Sequence, residues 1–145
     1  MYKSQARFKV LSKFNFQAVF DRETGLVWEQ APSTSQMNWH AAIVHCYGKN
    51  VGGRLGWRLP LLEELTSLLD TTQVAPALTS GHPFSNVIAS VSSTDLYWSA
   101  TTDTTGSNRA WSVSFVGGAM GNSDKTGNFF FVWCVRGGHG YDGTQ

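Results

Sequence analysis

"FFFVWCVRGG", Phe129 to Gly138, is the most apolar run in the chain, and its reading decides the fold. Period-two alternation along an extended strand sets Phe129, Phe131, Trp133 and Val135 against Phe130, Val132, Cys134 and Arg136. Large aromatics therefore stand on both faces. Either the strand is central and buried on both sides, or one face is a surface that touches a ligand.

The preceding sequence supplies the other strands of a sheet. "LYWSATT" (96–102) is a short strand, and "AWSVSFVGG" (110–118) alternates Trp111, Val113 and Phe115 against Ser112 and Ser114. "GGAMGNSDKTGN" (117–128) reads as a turn-rich connection back to the apolar run. Near the other end, "FNFQAVFDRETGLVWEQ" (14–30) reads as a hairpin: Phe16, Ala18 and Phe20 alternate, "DRETG" turns, and Leu26 and Trp28 resume the alternation.

Two helices lie between. After the polar "APSTSQ" (31–36), Trp39, Ala42, Ile43, Cys46 and Tyr47 recur at i, i+3, i+4, i+7 and i+8, with Gly48 placed to end the helix. A second helix opens at Pro60, with Glu63 and Glu64 in its first turn, where the dipole favours carboxylates. Leu61, Leu65, Leu68 and Leu69 form its apolar stripe. Thr71 to Asp95 is a long loop punctuated by Pro76, Gly81 and Pro83. The tail "GGHGYDGTQ", including residues 139–145, is expected to be mobile. The fold class is α+β, in one domain spanning 1–145.

Length agrees, since 145 residues bury about two-thirds of the unfolded chain's surface in one core. Six tryptophans and fifteen glycines suit strands and loops better than a helical bundle. A net charge of +1 gives no broad basic face for nucleic acid. No run is long enough for a membrane helix, and "MYKSQARFKVLSKF" (1–14) lacks the apolar segment of a signal peptide. The two cysteines, Cys46 and Cys134, form no C-x-x-C pair. Composition leaves them equally as two buried thiols or as one long-range disulfide.

Catalytic constellations are missing. The chain holds no G-x-S-x-G, no H-E-x-x-H, no phosphate loop and no dinucleotide fingerprint. His40 and His45 are five apart, too far round a helix to share a metal, and His45 reads as a surface residue beside a buried cysteine. Around Asp124, "GNSD" offers two or three oxygens against the six to eight that calcium takes. The expectation is a non-enzymatic domain without cofactor.

Taken in order, "TGLVW", "MNWHAAIVHC", "GWRLPLLEELTSLLD", "YWSATT", "AWSVSF" and "CVRGG" resemble the C-terminal domain of the Legionella collagen-like adhesin, from about Phe20 to Gly138. The resemblance implies a C-type-lectin-like fold, two helices on small antiparallel sheets with the N- and C-terminal strands adjacent, so that "FQAVF" flanks the last strand. It also implies a disulfide from the first helix to the last strand, Cys46 to Cys134. Arg58 and Arg136, inside family motifs, read as donors to loop carbonyls.

In that family the residue before the second cysteine is often arginine; here it is Trp133. With Cys134 pointing inward, alternation turns Trp133 and Phe131 the other way, onto a face expected to be partly wet. The expected function is an adhesin or receptor-binding domain for polysaccharide or glycosaminoglycan, secreted, on a cell surface or on a phage particle. Its binding surface is read as Asn108, Arg109, Asn122, Asp124, Lys125, Asn128, Phe131 and Trp133. The alternative is a retroelement-diversified module that binds protein through variable residues between about Arg109 and Trp133. Expected partners are an extracellular glycan or protein, with a homo-trimer as one option for assembly, and neither nucleic acid nor membrane insertion.

Overall fold

The computed structural model describes residues 6–138, so the expectation for 139–145 lies outside the described residues. Three short strands open the chain: β1 Phe8–Val10, β2 Ala18–Asp21 and β3 Val27–Glu29. The "DRETG" turn closes the β2–β3 hairpin as expected, with Gly25 at φ +77°, a backbone conformation that glycine takes without strain. Helix α1, Trp39–Tyr47, begins where the Asn38 side chain accepts the Ala41 N–H at 2.9 Å and ends at Gly48. Helix α2 is shorter than its leucine stripe, Leu62–Thr66, and the Glu64 carboxylate accepts the Leu61 N–H at 2.9 Å. The remaining strands are β4 Tyr97–Thr102, β5 Arg109–Val113, β6 Met120–Asp124 and β7 Val135–Arg136. The class is α+β.

Two antiparallel sheets result, ordered β1-β2-β3-β7 and β4-β5-β6. The N-terminal hairpin does share a sheet with the closing strand, but through β3: Val27 pairs with Arg136 and Trp28 with Val135. "FQAVF" lies one strand further out, and β1 and β7 are opposite edges. Strand β6 overturns the reading of 117–128 as turn alone. Met-Gly-Asn-Ser-Asp has little strand propensity, yet β5 offers it a continuous register from Arg109↔Asp124 to Val113↔Met120.

From Phe130 to Val135 the apolar run is buried on both faces, while Phe129 is 55% exposed. Phe130, Val132 and Cys134 enter a core with Trp57, Trp98, Ala42 and Cys46. Phe131, Trp133 and Val135 enter a second with Trp28, Tyr97, Phe115, Leu65 and Leu68. The segment divides the two cores, and its hydrogen-bond partners change residue by residue. Phe130 N–H donates to Met37 O, Phe131 to Leu96 O, Val132 to the Ser33 hydroxyl, Cys134 to Glu29 Oε1 and Val135 to Arg58 O. Those changing partners leave only Val135–Arg136 as a regular strand.

Cys46 and Cys134 form a disulfide, with Cα atoms 5.5 Å apart. Two positions of the expected helix stripes face outward: Tyr47 is 72% and Leu61 44% exposed. Arg136 donates to Leu55 O as read from the sequence; Arg58 donates to Gly137 O and also clasps Glu64 through two bonds of 2.7 Å.

Near the hairpin turn, Arg7 donates to both oxygens of buried Asp21 at 2.9 Å. Burial pushes this carboxyl up; the bonds from Arg7, the Glu23 N–H and the Thr24 hydroxyl outweigh it and hold it below 3.8. A carboxylate lowered on folding gives stability present above its unfolded value and lost as pH falls through the folded one. The urea midpoint is therefore expected to drop as pH falls below about 3.8, and Asp21→Asn to flatten that part of the curve. A parent and variant falling in parallel would show that the acid sensitivity lies elsewhere.

Candidate functional site

The polar residues read as a binding surface come together on the β4-β5-β6 sheet, and the aromatics read with them do not. Pairing across β5 and β6 puts Arg109 beside Asp124 and Trp111 beside Asn122, so all four belong to one face. Arg109 donates from Nε and Nη2 to Asn122 Oδ1 at 3.1 and 2.6 Å, and from Nη2 to Asn122 O at 2.9 Å. Asn122 in turn donates to Asp103 Oδ2 at 2.7 Å. Buried Asp103 thereby fixes the Asn122 amide, which fixes the guanidinium. Nη1 of Arg109 has no partner among the described residues.

Asp124 anchors the other end. Its carboxyl is held below the usual range by hydrogen bonds from the Thr126 hydroxyl and from the N–H groups of Thr126 and Gly127. Asn108 reaches its second oxygen at 3.4 Å, and Asn128 donates to its backbone carbonyl at 3.1 Å. Five of the eight expected residues thus lie together in two hydrogen-bonded groups set side by side by the β5–β6 register: Arg109 with Asn122, and Asp124 with Asn108 and Asn128.

The other three are corrections. Trp133 is fully buried, its indole N–H donating to Glu29 O at 2.9 Å and its ring packed against Trp28, Phe84, Tyr97 and Phe115. Phe131 is 8% exposed, beside Tyr97. Alternation does turn Trp133 and Phe131 away from Cys134, but that face belongs to the second core and is not wet. Lys125 is also buried: Nζ donates to the Thr102 hydroxyl and to Ser107 O at 2.9 Å and lies 4.0 Å from the Trp39 ring centroid. Its charge is spent inside the domain. His45, read as a surface residue, is half-buried with Nε2 unpartnered.

Trp111 is the residue that sequence reasoning passed over. Trp39, Trp57, Trp98 and Trp133 each donate the indole N–H to a backbone carbonyl, and Trp28 is fully buried. Trp111 is half-buried, as Trp39 is, but among the described tryptophans it alone combines that exposure with no ring pair and no partner for its N–H. The signal was available: Trp111 lies two residues from Arg109 on one strand, hence on the same face.

The family model of the Lcl C-terminal domain matches residues 17–136. No curated protein matches the chain.

Proposed function

The chain belongs to the Lcl C-terminal domain family, an adhesin-like surface domain, and from that premise we propose that it binds polysaccharide through the outer face of β5 and β6. The observation that carries this is the in-register grouping of Arg109 and Asp124 with Trp111 and Asn122. A part-exposed indole offers a flat apolar surface with a polar edge, and the fixed amide, carboxylate and guanidinium offer directed donors and acceptors for sugar hydroxyls. With Lys125 withdrawn, Arg109 is the cation left on this face among the described residues, which favours neutral or uronic-acid sugars over densely sulfated glycosaminoglycans.

The helix-to-closing-strand disulfide and the hairpin sharing its sheet support a C-type-lectin-like fold, and the family supports an extracellular or surface location. Among the described residues no helix is long and apolar enough to cross a membrane. The domain acts by binding, without catalysis. A diversified protein-binding module would use the same hairpin only as far as Phe129, which is exposed, since substitution from Phe130 onward opens the core.

The test is a glycan and glycosaminoglycan array probed with the parent domain, Trp111→Ala and Arg109→Gln. The expected result is binding by the parent and loss of about 10- to 30-fold in Trp111→Ala, as for a central aromatic contact, with an unchanged melting temperature. A blank array from folded parent protein, or equal binding by Trp111→Ala, would overturn the reading in favour of a protein ligand or another face.

A further inference from the structure

The four-stranded sheet carries a rung outside the polysaccharide face. Lys9 of β1 pairs with Phe20 of β2, Phe20 with Val27 of β3, and Val27 with Arg136 of β7. Cross-strand partners share a face, so the rung reads cation, aromatic, aliphatic, cation. A 3-10 turn, Ser12–Phe14, lies against this face and places Phe14 with the Arg54 guanidinium 4.4 Å from its ring centroid. A cleft of about 380 Å³ opens there. Its apolar lining is Leu11, Phe14, Phe20 and Val27, and its cations are Lys9, Lys13 and Arg54.

Three features make this a binding cleft more than a gap in packing. Among the described residues no carboxylate lines it, although the chain as a whole is nearly neutral. None of its cations has an ion-pair partner among the described residues, whereas Arg7, Lys49 and Arg58 are each paired with an acid. Its wall is also preformed. Arg54 Nη1 donates to Lys13 O at 3.2 Å and Gly52 O at 3.1 Å, and Gly52, at φ +60°, lies so close to the Phe14 backbone that any Cβ would overlap it. The volume falls within the range of small-molecule sites.

The geometry points to a second binding site, for a small amphiphilic anion: one carboxylate, sulfate or phosphate head on a short apolar body. Exposed charge pairs contribute little alone, so a bare anion gains weak hold from Lys9 and Lys13. The apolar lining supplies the larger part by removing the ligand's carbon chain from water. A neutral chain of the same length gains that part and leaves the cations unmatched.

Calorimetric titration of the intact domain with hexyl sulfate, sodium sulfate and hexyl glucoside tests this. Hexyl sulfate is expected to saturate one site, with sulfate and hexyl glucoside each at least about tenfold weaker. Lys9→Gln/Lys13→Gln, altering two exposed side chains, is expected to weaken hexyl sulfate about tenfold and leave hexyl glucoside and the melting temperature unchanged. Sulfate binding as tightly as hexyl sulfate would reduce the site to a simple ion contact. Hexyl glucoside binding as tightly would make it a plain apolar patch. Either result, an unaffected double variant, or no saturation by hexyl sulfate overturns the proposal and leaves the polysaccharide reading, on the other sheet, untouched.

Discussion

Trp133→Ala is expected to cost the domain about 4 kcal/mol in urea unfolding and to lower its melting temperature by roughly 10–15 °C. The ring is fully buried, and its centroid lies 4.9–5.9 Å from those of four other aromatic rings. Truncation leaves a void that the sheets on either side cannot close, because each is tied into its own hydrogen-bond register. It also strips the Glu29 carbonyl of the indole donor. Trp133→Phe keeps much of the packing and loses the donor, so it should fall between, at about 1–2 kcal/mol. The informative contrast is Trp111→Ala, for which binding and not stability is expected to change. A Trp133→Ala variant as stable as its parent would mean that the second core does not exist as described.

Breaking the disulfide is expected to have an effect of similar size by a different route. Cys46 and Cys134 lie 88 residues apart, and closing a loop of that length removes about 4–5 kcal/mol of unfolded-state freedom in the chain-entropy account. Thermal unfolding with and without reductant, and of Cys46→Ala/Cys134→Ala, measures it. The reduced protein and the double variant should melt together, roughly 10–20 °C below the oxidised parent. Unchanged melting under full reduction would show that the packing of α1 on the closing segment carries that stability without the bond.

Local pattern was sufficient where an element is made by its own residues. The β2–β3 hairpin and α1 declare themselves through alternation, a glycine turn and a helical apolar stripe ended by Gly48. It failed where a distant partner decides. Strand β6 has the composition of a turn and is a strand only because β5 lies beside it. Lys125 looks like a surface cation until Trp39, Thr102 and Ser107, from three other segments, enclose it. Trp133 shows the same limit: parity gave its face, and no local feature could say that Trp28 and Phe84 cover that face. The array around Arg109 was legible because its members lie within a single hairpin, and Trp111 among them was legible but unused.

The segment from Phe130 to Val135 also sets when this protein can fold. It is the shared wall of both cores, and it is synthesised after every other described element except β7, which it begins. A ribosome that has made β1 to β6 holds two half-cores with nothing between them, their apolar faces open to any chaperone or neighbouring chain. The contacts that close them link residues about a hundred positions apart, the kind that make folding slow. The domain therefore completes itself only once its last strand emerges, and Cys46 must wait unpaired until Cys134 arrives.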